Sequence, residues 1–176
     1  MNTPVYIITG FLESGKTKFI SEMLADEGFS EGERTLLLCC EEGEEEYDSK
    51  LLHRTNTVLE PLDEPEDLEK LVELDEKYRP ERVIIEYNST WLLQALYSAK
   101  KPESWDLAQI ITLVDSTTFE IYLKNMRSFM ADGLTEADLV IFNRCTEETT
   151  KSPYRRTVLA MNNTARIFFE NTDGSM

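Results

Sequence analysis

The sequence predicts an α/β fold, a mostly parallel sheet covered by helices on both faces in a three-layer domain. Three observations point there. Short apolar runs rich in β-branched residues alternate with stretches whose apolar residues recur at helical spacing. A glycine-containing octapeptide, Gly10 to Thr17, joins the first such run to the first helical stretch. No internal repeat, low-complexity linker or compositional break interrupts the 176 residues, so they are expected to form one domain.

The elements follow in order. Val5-Tyr6-Ile7-Ile8 is a buried strand ending at the turn signal Thr9-Gly10. Phe19, Ile20, Met23 and Leu24 then recur as on a helix, with Gly28 as its stop. Arg34 to Cys40 is a second strand, followed by an acidic loop from Glu41 to Asp48. Thr55 to Leu59 reads as a small strand before Pro61. Leu68, Leu71, Val72 and Tyr78 mark an amphipathic helix ended by Arg79-Pro80. Arg82 to Glu86 is a strand, and Trp91, Leu92, Ala95 and Leu96 make a short helix closed off before Pro102. Ala108 to Asp115 is the next strand. One helix is expected to carry Phe119, Tyr122, Met126 and Phe129 on a single face. Asp138 to Asn143, a helix from about Tyr154 to Met161, and a last strand from Arg166 to Phe169 complete the pattern.

Charge excludes some functions. The 34 acids and 18 bases leave a net charge of −16, which disfavours a nucleic-acid backbone interface. Between Glu41 and Glu76 lie 15 acids and 3 bases, so most of that excess sits in one segment. No apolar run approaches the roughly 20 residues of a membrane span, and the N-terminus has no signal-like pattern. The chain therefore reads as a soluble, cytoplasmic protein. Cys39, Cys40 and Cys145, with the single histidine His53, are too few for a disulfide framework or a structural zinc site.

Gly10-Phe11-Leu12-Glu13-Ser14-Gly15-Lys16-Thr17 matches G-x-x-x-x-G-K-[ST], the phosphate-binding P-loop, between a strand and a helix as that motif requires. The glycines let successive backbone N–H groups face an anion, and the helix presents its positive end to the same phosphates. Lys16 is the candidate for the β- and γ-phosphates and Thr17 for a Mg²⁺ shell. Glu41, Asp48 and Glu86 are candidates for the second Mg²⁺ contact or for ordering a water. For Glu41 and Asp48 a solvated acidic loop explains the sequence equally well. Glu86, ending a buried strand, needs a partner for its charge. Lys18 and Arg144 either offset phosphate charge or stack near a base, or are plain surface. The acids Glu41, Glu42, Glu44, Glu45, Glu46 and Asp48, with Cys40 or His53, are a weaker candidate for a second divalent metal, Zn²⁺ or another.

The order of the remaining motifs resembles the nucleotide-binding domain of the CobW/HypB/UreG group of GTPases, which are metallochaperones or insertases, and the CobW branch above all. Ile8 to Leu12 with Ser14 to Thr17 is similar to the CobW opening T-G-F-L-G-x-G-K-T. Cys40 to Glu44, with Asp48 beyond, sits where the family has N-E-F-G-E and an Asp. Val83 to Glu86 matches the strand that ends in E-T-T-G, and Leu113-Val114-Asp115 matches V-V-D. Ala137 to Asn143 leads into the place of N-K-x-D, and Met161 to Ile167 resembles L-N-P-x-A-x-I.

What the resemblance implies is a P-loop fold binding GTP or GDP with Mg²⁺, a slow GTPase acting as a switch in metal or metal-cofactor handling, and a metalloprotein client. Residues 1–176 would be the nucleotide-binding domain alone, without the C-terminal domain that CobW-like chains usually carry. Lys16 and Glu86 would serve the reaction, Gly10 to Lys18 the phosphates, and Asn143 with Arg144 the base.

Four departures bear on that reading. Glu13 replaces a glycine in the phosphate loop, and its carboxylate is expected to point outward. Ser89 stands where the glycine amide of E-T-T-G would sense the γ-phosphate. Thr146 stands where an Asp would pair with guanine. The family's C-x-C-C metal motif is absent. They leave two other readings open: a non-hydrolysing nucleotide- or protein-binding module, and an ATP-using P-loop enzyme.

Overall fold

The computed structural model describes residues 1–176. Its strands are β1 (Thr3–Thr9), β2 (Thr35–Cys39), β3 (Thr57–Pro61), β4 (Arg82–Glu86), β5 (Trp105–Asp115), β6 (Leu139–Cys145) and β7 (Arg166–Asn171). All six neighbouring pairs are parallel, in the order β3-β2-β4-β1-β5-β6-β7. A parallel sheet is covered on both faces, and the central strands show it: Leu36, Leu37, Leu38, Val83 and Ile84 are all fully buried.

The helices are α1 (Lys16–Ala25), α2 (Ser49–Arg54), α3 (Leu71–Tyr78), α4 (Leu93–Ser98), α5 (Phe119–Asn125), α6 (Arg127–Glu136) and α7 (Lys151–Met161). Buried side chains form three clusters. One centres on Leu36, Leu71, Val83 and Tyr87, one on Ile8, Ile20 and Ile84, and one on Phe119, Phe142 and Val158. In the last, Phe142 stacks on Phe169 at 5.0 Å between ring centres and meets Phe119 edge-on at the same distance. No helix is long and apolar enough to cross a membrane.

Several elements differ from their expected form. The helix expected over Phe119 to Phe129 is two, because Met126 at φ −134° and ψ 42° ends α5 and begins α6. Its apolar face then runs on to the buried Met130 and Leu134. The acidic segment leads into α2, which Asp48 caps by accepting from the Lys50 amide at 3.0 Å. Helix α1 stops at Ala25, three residues before Gly28, with Asp26 leaving helical geometry at ψ 117°. The turn before α3, Pro65–Lys70, is 3₁₀ and opens on a capping box between Glu64 and Asp67. Strand β5 begins at Trp105, three residues earlier than its apolar run, because this exposed stretch pairs with the start of β1. Pro61 closes β3, an edge strand, where a missing N–H costs no ladder bond.

Candidate functional site

Sheets of this kind gather ligand-binding groups at the carboxyl ends of their strands. Here the phosphate loop follows β1, Glu41 follows β2, Glu86 ends β4, Asp115 ends β5, and Asn143 lies near the end of β6. Gly10 and Gly15 have φ values of 138° and 93°. A Cβ on Gly10 would come within 2.5 Å of both the Leu113 carbonyl oxygen and Ser14 Oγ, so only glycine lets the loop lie this close to β5. The loop wraps the start of α1, leaving Ser14 Oγ buried without a hydrogen-bond partner.

Two carboxylates, the half-buried Glu41 and the buried Glu86, sit beside that loop. Lys16, 4% exposed, donates from Nζ to the Gly10 carbonyl at 2.5 Å, to the Phe11 carbonyl at 3.3 Å and to Glu41 Oε2 at 2.5 Å. Glu41 Oε1 accepts from Ser89 Oγ at 2.6 Å and from the Ser89 amide at 3.4 Å. Glu86, 3% exposed, takes three donors: Thr17 Oγ1 at 2.8 Å, Tyr47 OH at 2.5 Å and Cys39 Sγ at 3.7 Å. These bonds answer the need for a partner that its strand-end position poses.

The two donors beyond Thr17 hold their protons firmly. Burial, then the Glu86 charge, raises the Tyr47 phenol well above its ordinary value. The same two causes push the Cys39 thiol up to about 12, and burial raises Cys40 as well. At neutral pH neither thiol is a thiolate, the form that binds metal. No three His, Cys, Asp or Glu side chains are grouped so that they could hold a metal ion. The acidic run from Glu42 to Glu46 is exposed, as is His53 on α2.

The other expected site residues are placed as follows. Glu13, at φ 62°, turns its carboxylate to the acidic loop, where Oε1 accepts from the Glu44 amide at 2.9 Å. Asn143 Nδ2 donates to the Ser14 carbonyl at 2.7 Å, while its Oδ1 is buried and unpartnered. Arg144 donates from Nη1 to the Glu13 carbonyl at 2.8 Å and to the Asp115 carboxylate, clamping the loop to the end of β5. Burial alone would raise Asp115, but the Thr117 hydroxyl and amide and the Arg144 guanidinium outweigh it and hold the carboxyl below its ordinary range. Phe11 stacks on Tyr122 at 4.4 Å, and Leu12 is exposed. Lys18 lies on the exposed side of α1, 3.9 Å from Glu22. Asp48 is exposed at the α2 cap and its side chain bonds the Lys50 amide, with no hydrogen bond to Thr17 or Glu86.

Tyr47 and Cys39 contact Glu86 although no motif singled them out. The signal for Tyr47 is an aromatic side chain inside an otherwise solvated acidic run. Around Gly15, Lys16, Thr17, Glu41 and Glu86 the free space is only ≈ 30 Å³, room for roughly one or two waters. A larger cavity of ≈ 320 Å³ lies on the outer side of the loop, between Phe11, Tyr87, Trp91, Tyr122 and Gly133; neither Lys16 nor Thr17 lines it. A third, polar cleft of ≈ 550 Å³ opens at the ends of β6 and β7, lined by Thr146, Lys151 and Asn171 among others.

A parallel sheet whose first strand feeds a Gly10–Thr17 loop and a helix, with a buried lysine folded over that loop, defines a P-loop nucleoside-triphosphate-binding fold. The chain belongs, more narrowly, to the CobW/HypB/UreG nucleotide-binding domain family, whose model matches residues 4–169. Among solved structures it is similar to the Zn(II)-bound YjiA GTPase from E. coli, with a TM-score of 0.72 and 20% identity over 100% of this chain. The chain spans 59% of the length of that protein. Hydrogenase maturation factor HypB from Archaeoglobus fulgidus aligns with a TM-score of 0.65 at 13% identity, over 97% of this chain and 82% of its own. HypB from Helicobacter pylori, solved in complex with nickel, gives 0.61 at 13% identity, over 98% and 80%. No curated protein is similar enough in sequence to be matched.

Proposed function

We propose that this domain binds guanine nucleotides with Mg²⁺, hydrolyses GTP slowly, and serves as a switch in metal or metal-cofactor handling. The observation that carries the reading is the Lys16 ammonium, buried and held over the Gly10 and Phe11 carbonyls at the head of α1. That posture aims its charge where β- and γ-phosphates lie in P-loop proteins. Backbone amides of Glu13 to Thr17 would take the phosphate oxygens, aided by the helix N-terminus.

The donor set suits Mg²⁺ as well. Thr17 Oγ1 and Glu86 are hard oxygens 2.8 Å apart at the loop, and this ion favours one or two such protein contacts with the rest water. When bound, Mg²⁺ would neutralise charge building on the phosphate oxygens. Glu86 would hold Thr17 and an ordered water, and Tyr47 would fix the Glu86 carboxylate from behind. Asn143 ties the loop to β6 and Arg144 clamps it to Asp115, so the cleft beyond β6 and β7 that would take the base is bordered by Thr146 and Lys151 and not by these two side chains. No side chain is placed as a strong base for water, which favours slow turnover. Family membership, and the metals bound by YjiA and by HypB, support a metalloprotein client.

The test is calorimetric titration of GTP, then ATP, with and without Mg²⁺, alongside Lys16→Ala. Magnesium-dependent GTP binding that Lys16→Ala abolishes is the expected result, with GTP turnover above that of the variant. Binding of neither nucleotide would end the proposal, and tighter binding of ATP would replace it with an adenine-nucleotide enzyme.

A further inference from the structure

We infer that Glu41 is a built-in competitor of the terminal phosphate, a residue of the domain's own loop that makes the site favour nucleoside diphosphates over triphosphates. The inference rests on the nucleotide reading above and assigns it a specificity-determining residue.

An ammonium has three donor hydrogens. In Lys16 they are matched by three acceptors, the Gly10 and Phe11 carbonyls and Glu41 Oε2. The two carbonyls belong to the loop itself and hold the side chain in its phosphate-facing posture. Only the third acceptor comes from elsewhere. A phosphate oxygen that takes the third hydrogen of Lys16, on the Glu41 side, therefore has to replace that carboxylate.

The other half of the carboxylate strengthens the likeness. Oε1 receives the Ser89 hydroxyl and amide from the segment after β4, across the cleft from α1. One anionic group thus bridges the loop lysine and a backbone N–H on the opposite wall, the same two kinds of donor that hold a terminal phosphoryl oxygen. Lys16 is 4% and Glu41 10% exposed, so the pair is largely shielded from solvent.

Diphosphate and triphosphate differ in what they ask of Glu41. The last phosphate of a diphosphate sits in the loop amides and can share Lys16 from one side. A triphosphate places a further anion on the Glu41 side, where like charges repel and the Ser89 contact is lost. The carboxylate is free to leave because residues 41–48 form no helix or strand. The Glu44 amide donating to Glu13 and the Tyr47 hydroxyl donating to Glu86 tether that segment at two later points. Displacing Glu41 would also free Ser89, so the loops after β2 and β4 would register the terminal phosphate together.

The experiment measures affinity for GDP and for the β,γ-imido analogue of GTP, with Mg²⁺, in the wild type, Glu41→Gln and Ser89→Ala, with thermal melting to confirm that each variant is folded. In Glu41→Gln, triphosphate-analogue affinity is expected to rise about tenfold or more, the worth of a charged hydrogen bond, while GDP affinity changes less than about threefold. Ser89→Ala should move the ratio the same way by less. A ratio unchanged in both variants overturns the inference, and so does a fall in triphosphate affinity, which would put Glu41 in the magnesium shell. Loss of GDP binding by the wild type itself would instead overturn the nucleotide reading and this inference with it.

Discussion

At the ends of β1, β2 and β4, buried and half-buried polar groups are paired with one another: Lys16 with Glu41, Glu41 with Ser89, Thr17 and Tyr47 with Glu86. Just beyond the end of β6 the side-chain bonds are local. Thr146 is exposed, its amide donating to Thr149 Oγ1 at 2.8 Å and its hydroxyl accepting from the Glu148 amide at 3.3 Å. The phosphate end rests mainly on backbone shape, which many side chains support together. On the proposed function the base end would rest on single side chains, so one replacement would change what it recognises. Most of the departures from the family pattern can therefore be ranked by which end they touch.

The largest effect is expected where the phosphate end is broken outright. Lys16→Ala removes the charge aimed at the phosphates and strands Glu41 without its partner. Affinity for GTP and GDP should fall by about a hundredfold or more, on the scale of two charged hydrogen bonds. Retention of either affinity by a folded variant would show that the loop amides suffice alone.

Restoring the base end comes next. Thr146→Asp supplies the carboxylate that pairs with two guanine N–H groups, and the affinity ratio of GTP to ATP should rise roughly tenfold to a hundredfold. Competition titration of the two nucleotides reads it directly. An unmoved ratio would mean that the base does not lie beside Thr146.

Glu13 tests how far the phosphate loop tolerates change. At φ 62° a side chain is strained where glycine is free, a cost of about 1–2 kcal/mol. Against it stands one bond to the Glu44 amide, an exposed group that water can satisfy. Glu13→Gly should raise the melting temperature by about 2–4 °C. A lower melting temperature would show that the tie to the acidic loop outweighs the strain.

How much of this was legible in the chain depended on whether a task was local. Gly10 to Thr17 declared itself because every fixed position answers a requirement of the loop alone. The strands did too, since Val83-Ile84-Ile85 or Leu36-Leu37-Leu38 can only be interior. The break at Met126 was hidden, because it uses no glycine or proline and follows from how α5 and α6 pack. Tyr47 was masked by the acids around it. The Lys16–Glu41 pair was unreadable for a different reason: the two residues are 25 apart and meet only once β2 lies beside β4. Asp48 shows the converse, a residue at a motif position that is spent on capping α2.

The smallest expected effect joins the two ends. Arg144 reaches from the base side to clamp the Glu13 carbonyl, and Asp115 holds that guanidinium. Asp115 has its carboxyl lowered in the folded state, from an ordinary value of 3.8, so it binds a proton less readily folded than unfolded. Its contribution is therefore fully present above about pH 4 and is lost as the pH falls through the lowered folded value. Asp115→Asn removes the charge at every pH. The variant should be less stable than the wild type at neutral pH, and the gap should close as both are acidified towards about pH 2. Urea unfolding from pH 7 down to pH 2 measures it. A gap that stays constant with pH would mean that the folded state does not favour the ionised carboxyl, and that neither the Thr117 bonds nor the Arg144 clamp draws stability from the Asp115 charge.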